Sequence, residues 1–294
     1  MKYLIFSALI LSTLLIPQLH TVLAKLSSKA QNKCESIFVR DDRFKSESAA
    51  LICGKNFSDK EKQQMLIKLS LIHIFVVSGA HLLLLETLLT WLGFTQMWIY
   101  PLLLLYGFCC GLNPPIVRAL IAYEMKQLSH RQNFNWSPLI IALISYLISI
   151  IWLQRPGDYL SLLLSTAAAF ALCVGKGAFQ QQLLIYFFSS LILTGFGLLH
   201  PLTIFYNLLL GPLIGFIFVP GAALAIIHQA LADLFYLLLK VFYWVGEILI
   251  QPIDEIQSFP HYEKSIVVII LIALSLIHIV SHFIQVNQKR KTAN

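Results

Sequence analysis

Charge is what this chain has least of: 12% of its 294 residues are Asp, Glu, Lys or Arg, against 58% that are hydrophobic. That balance excludes an ordinary soluble domain. No segment alternates polar and apolar residues over about ten positions, which excludes a membrane β-barrel. The five cysteines form no Cys-x-x-Cys pair and no Cys/His spacing suited to a metal, so neither a metal nor a cofactor is expected. The GxxxxGK[ST] pattern is absent, which argues against a nucleotide-hydrolysing motor. Internal repeats, low-complexity tracts and long soluble linkers are lacking as well.

What fills the chain instead is a series of apolar runs of near-bilayer length, separated by short polar breaks. The expected fold is all-α: a polytopic helical membrane protein with broken or re-entrant helices. Residues 1–24 read as a secretory signal peptide or, alternatively, an uncleaved anchor helix. They carry one Lys, an apolar core, a Pro break, and Val22 and Ala24 placed for cleavage before Lys25. Residues 25–68 follow as a short basic extracytoplasmic region in which ten basic residues outnumber six acidic ones. Capture of a polyanion and a solvated face touching lipid headgroups both fit that charge. Cys34 and Cys53 lie here, a pair suited to a disulfide outside the cytoplasm. Residues 69–286 form a multi-pass core, and 287–294 a basic cytoplasmic tail. Positive-inside counting agrees with that orientation, the basic region at 25–68 excepted. The overall charge of +7 bears on partners rather than on fold.

The run from Leu69 to Leu92 reads as one membrane helix that carries His73, Ser78, His81 and Glu86 at depth. Such groups have an insertion cost, so by default they face a partner helix, a cavity or a pore. Ahead of it, Ser58 and Glu61 make a capping-box pattern that starts an amphipathic helix at Asp59. On one helix, Ser78 and His81 share a face. That face suits a polar pore stripe or a Ser/His nucleophilic pair. It also suits plain helix packing, because Ser78, Gly79 and Ala80 are small enough to let backbones approach. Glu86 has no role in any of these readings. Further on, Asn113-Pro114-Pro115 interrupts the helical pattern just before Arg118, whose guanidinium suits a phosphate or a pairing with Glu86 or Glu124. His200-Pro201, Asn207 and Gly211-Pro212 mark a second broken region, read as a re-entrant or kinked element or as a loop. The expected path-lining set is His73, Ser78, Gly79, His81, Asn113, Pro114 and Arg118. No catalytic residue is assigned, and the chain is not read as an enzyme.

Four stretches together resemble the ComEC competence family, the inner-membrane channel for transforming DNA. His73-Ile74-Phe75-Val76-Val77-Ser78-Gly79-Ala80-His81 is similar to its H-L-L-A-V-S-G-L-H motif. Upstream, the LICGKNFSDKEKQQM stretch resembles its lead-in turn and amphipathic helix. Gly111 to Ala119 is similar to its G-x-S-P-x-x-x-R-A signature, and Asn207 to Pro212 to its N-L-L-A-x-P segment. Departures are Ala80 for Leu, the added Pro115, and no Gln between Tyr159 and Ala168.

The resemblance spans about Lys45 to Val286 and implies a channel for single-stranded DNA in the bacterial inner membrane. It also implies a separate DNA receptor, nuclease and cytoplasmic helicase or ATPase as partners, with a homo-oligomer admissible. Full-length members add an oligonucleotide-binding domain and a β-lactamase-like domain. Neither has a counterpart here, so a channel core without nuclease activity is expected. An intramembrane hydrolase using Ser78 and His81, or a non-transporting membrane scaffold, are the alternatives.

Overall fold

A computed structural model describes residues 5–38, 41–75, 78–153, 156–193 and 202–254. Among them every regular element is helical. The polar breaks in the sequence become helix ends: α1 (Ile5–Leu15) and α2 (Pro17–Phe38) are separated by a single residue at the Pro17 break. A 3₁₀ turn (Asp42–Phe44) leads into α3 (Lys45–Cys53), followed by α4 (Lys60–Lys68), α5 (Ile72–Phe75) and α6 (Gly79–Trp91). Next come α7 (Gln96–Cys109), α8 (Pro114–Arg131), α9 (Pro138–Ile150), α10 (Pro156–Val174) and α11 (Ala178–Leu193). Then α12 (Thr203–Leu213) passes through a π-helical stretch, Ile214–Phe218, into α13 (Val219–Leu224), and α14 (Gln229–Asp254) follows. The expected span at 265–286 and the tail at 287–294 lie outside the described residues.

Three apolar clusters hold these helices. One gathers Phe6 and Ile10 of α1 with Ile99, Leu103, Ile116 and Trp152. The second joins Leu51, Leu66 and Phe75 to Phe218, Phe235 and Phe242. The third is the α10–α11 pair around Ala171 and Phe188. Burying each large apolar side chain contributes about 1.5–3 kcal/mol when the alternative is water.

The region at 25–68 is more ordered than its composition suggests. On α2, Lys25, Lys29 and Lys33 recur every four residues on an exposed face, while Leu23, Ser27 and Cys34 turn inward. Helix α3 is buried from Glu47 to Cys53. A disulfide joins Cys34 to Cys53, with Cα atoms 5.9 Å apart. Gly54 then ends α3 in the left-handed conformation at φ +64°, and a Cβ there would stand 3.0 Å from the Cys110 carbonyl oxygen. Helix α4 starts one residue later than the capping pattern implies. Asp59, not Ser58, is its N-cap, accepting the N–H groups of Glu61 and Lys62.

One sequence expectation changes, and a second is refined. The run Leu69–Leu92 is not one helix. Ser70 takes a left-handed φ of 56°, and Ser78 is extended at φ −125°, ψ 175°. Ser is among the preferred N-cap residues, and it starts α6 here instead of continuing α5. The break at Asn113-Pro114-Pro115 is there, between α7 and α8, but the prolines belong to the new helix. Proline at the first helical position has no N–H to lose and a φ already suited to the turn, so the pair opens α8 at N1 and N2. The α7–α8 turn is held from outside. Trp152 donates its indole N–H to the Leu112 carbonyl at 2.8 Å, and Asn113 donates to the Gly54 carbonyl at 3.0 Å.

One described helix, Thr203–Leu224, is long and apolar enough to cross a membrane, and 28% of its most apolar window is buried. Helices Gln96–Cys109, Pro138–Ile150 and Asp158–Val174 are apolar but shorter.

Candidate functional site: a junction of α6 and α8

The site is built where the starts of α6 and α8 meet. The extended Ser78 sets the start of α6. Its N–H donates to His81 Nδ1 at 3.0 Å, and its hydroxyl lies 3.2 Å from the same nitrogen. His81 is therefore the N3 partner of a capping arrangement, with Nδ1 as acceptor. The neutral ring then carries its proton on Nε2, an atom that is buried and without a partner among the described residues. This explains the Ser78–His81 proximity without nucleophilic chemistry. The imidazole nitrogen facing the hydroxyl already accepts a backbone N–H, and neither an orienting carboxylate nor an oxyanion site accompanies it.

Gly79, the first residue of α6, meets α8 directly. A Cβ on it would stand 3.2 Å from the Arg118 Nη2, 3.2 Å from the Ala119 Cβ and 3.6 Å from the Pro115 carbonyl oxygen. A side chain there would press on Arg118 and Ala119. Arg118, 8% exposed, donates from Nε to the Ser165 hydroxyl of α10 at 2.9 Å. Neither carboxylate considered for it from the sequence is available. Glu86 lies 3.8 Å from Lys126. Glu124 is fully buried and accepts the N–H groups of Phe6 and Ser7, the Ser7 hydroxyl and the Tyr100 hydroxyl.

A separate close approach joins α12 to α5, where a Cβ on Gly211 would stand 3.3 Å from Ile74 Cδ1. One turn earlier, Asn207 is 7% exposed and its Oδ1 is buried without a partner among the described residues. Of the readings of Asn207 to Pro212, the helix with an internal irregularity holds, and the loop does not; His200-Pro201 lies outside the described residues. Pro212 sits inside a continuous helix, and the irregularity its ring imposes is taken up by the π-helical stretch that begins two residues later.

Of the residues singled out from the sequence, Ser78, Gly79, His81 and Arg118 belong to this junction. Asn113 and Pro114 form the turn one helical step before it, hydrogen-bonded toward Gly54 instead. The His73 backbone belongs to α5. Sequence reasoning missed Ser165, which no motif marks. No group of three or more His, Cys, Asp and Glu side chains suited to a metal occurs among the described residues.

A chain whose described elements are all helical, with two of its motif stretches meeting at a buried polar junction, defines the class, and comparison with known proteins defines the family. A family profile described as Competence protein matches residues 51–288, most of the chain. The chain belongs to that family, and its general role is in competence and DNA uptake. No curated protein and no solved structure matches it.

Proposed function

We propose that this protein is a multi-pass membrane channel component that passes single-stranded DNA during natural transformation. The observation that carries this reading is spatial. The four stretches similar to family motifs lie far apart in sequence, yet Gly54 touches Asn113, Gly79 touches Arg118, and Gly211 touches Ile74. An uncommitted, buried polar junction in a chain so poor in charge fits a pathway better than a packing seam, where cross-helix hydrogen bonds normally satisfy such groups.

Lipid contact is supported by apolar side chains on the outside. On α14, Leu231, Leu234, Leu237, Val241, Trp244 and Ile248 are all exposed at helical spacing, while Phe235, Leu239 and Phe242 fill the core. A helix apolar on both faces in water would be an aggregation hazard, and in a bilayer it is matched to its solvent. The exposed Lys25, Lys29 and Lys33 would gather the polyanion by salt-dependent attraction. A DNA receptor, a nuclease and a helicase or ATPase would be separate proteins.

Uptake of labelled DNA by cells carrying His81→Ala or Arg118→Ala tests the pathway. Loss of internalised DNA with unchanged membrane levels is expected. Wild-type uptake in both variants would exclude it, and the non-transporting scaffold would then be the better reading.

A further inference from the structure

We infer that the junction of α6 and α8 is a binding site for a single phosphate-class oxyanion, the deepening of the channel reading on which it rests. The first N–H groups of an α-helix have no intrahelical acceptor and carry its positive dipole end. At α6 the Ser78 N–H is taken by His81 Nδ1 and the His81 N–H by the Ser78 carbonyl, and among the described residues the N–H groups of Gly79 and Ala80 have no acceptor. Against that positive end the fold places another positive group. The Arg118 Nη2 stands 3.2 Å from where a Gly79 Cβ would be, and Arg118 is 8% exposed. Like charges brought together in a buried place are unfavourable unless an anion lies between them or beside them.

No carboxylate among the described residues fills that place. Among the described residues Arg118 makes one hydrogen bond, from Nε to a neutral hydroxyl, and neither terminal nitrogen has a partner there. Glu86 and Glu124 are committed to Lys126 and to the α1 N-terminus. On the same turn of α6, the buried Nε2 of His81 is a third donor without a partner. Backbone N–H groups at a helix N-terminus, a guanidinium edge and an imidazole N–H are together the donor set of a phosphate site. Gly79 completes it, since any side chain there would press on the guanidinium. A DNA phosphodiester, a lipid headgroup phosphate and free phosphate share this chemistry.

The test uses the full chain in nanodiscs of phosphatidylcholine, with binding read by fluorescence anisotropy. The probes are a short single-stranded oligonucleotide and the same sequence with neutral methylphosphonate linkages, with inorganic phosphate as competitor. A parallel set of discs contains phosphatidylglycerol. Arg118→Gln is expected to weaken phosphodiester binding about tenfold or more, as loss of charge-assisted hydrogen bonds does. Gly79→Ala keeps the charge but crowds it, and should weaken binding while the melting temperature stays near that of the wild type. The neutral oligonucleotide should bind poorly to every variant. Competition by phosphatidylglycerol that vanishes in Arg118→Gln supports the same site with lipid as its source. Equal phosphodiester affinity in wild type, Arg118→Gln and Gly79→Ala overturns the site, whatever the uptake assay shows. Conversely, binding lost in Arg118→Gln with cellular uptake intact keeps the site and removes the channel reading.

Discussion

The Glu124 carboxylate accepts the backbone N–H of Ser7 at 2.8 Å across 117 positions of the chain. It also accepts the Phe6 N–H at 2.9 Å and stands at 0% exposure, so a negative charge on α8 closes the positive end of α1. Three of its four donors come from two residues of the segment that the sequence reads as signal or anchor. Cleavage before Lys25 would strip them away and leave a buried carboxylate with one partner. It would also remove Phe6 and Ile10 from the core and cut α2 in mid-helix. The anchor is thus the alternative that the packing favours. Intact-mass measurement of the purified protein should find residues 6 and 7 present. Glu124→Gln should lower stability by about 2–4 kcal/mol, because an amide cannot accept from all those donors. A mature chain beginning at Lys25 would contradict this.

Ser78→Ala separates a helix cap from a nucleophile. The hydroxyl and N–H of Ser78 both face His81 Nδ1, and only the hydroxyl is lost in the variant. Loss of a Ser cap costs about 1 kcal/mol, so a small drop in thermal stability with DNA uptake preserved is expected. Abolished function together with labelling of wild-type Ser78 by a serine-reactive probe would favour the hydrolase.

How much of this was legible beforehand differs from element to element. Hydrophobic runs mark α7, α9 and α10 because an apolar helix needs no partner to be recognised. Gly79 and Arg118 were each legible as candidate path-lining residues, but their proximity was not. Nor was the break at Ser78, because serine caps and serine inside a membrane helix look alike without the backbone angles. The partners of Arg118, Glu86 and Glu124 were illegible for a different reason. Each depends on which helices become neighbours, and the spacing of Glu86 from Lys126 or of Glu124 from Ser7 carries no periodic signal. Glu86, unexplained in the sequence, has an ordinary role. Its pair with the half-exposed Lys126 is worth at most about 1 kcal/mol, and Glu86→Gln should leave uptake near normal.

The Cys34–Cys53 disulfide ties the basic helix α2 to the buried α3. The carbonyls of Cys53 and Gly54 accept from Gln31, and the Gly54 carbonyl accepts from Asn113, so the bridge braces the turn that opens α8. Closing a loop of 19 residues is worth about 3 kcal/mol in the chain-entropy account. A Cys34→Ser/Cys53→Ser variant should melt earlier than the wild type by that order, and a reductant should destabilise the wild type alone. Equal melting with and without reductant would show that the bond contributes nothing.

Lys62 offers a pH test in the region outside the apolar core. Its ammonium lies 2.7 Å from the Oε1 of Glu47, which is 2% exposed, and 3.5 Å from Asp59. Tyr243 donates its hydroxyl to the same Glu47 oxygen at 3.1 Å. Burial pulls the ammonium pKa down, but the hydrogen bond and charge of Glu47, aided by Asp59, outweigh it and leave the value above the ordinary 10.5. A group whose folded pKa is raised binds its proton more tightly in the folded state. Its contribution is therefore complete below pH 10.5 and disappears as pH climbs through the folded value. Alkaline unfolding followed by circular dichroism should show a loss of stability beginning above pH 10.5 that Lys62→Met lacks. Below that pH the variant should already be the less stable protein, since it leaves the Glu47 carboxylate buried without its cation. Parallel pH profiles for the two proteins through the alkaline range would show that the pair adds nothing to folding.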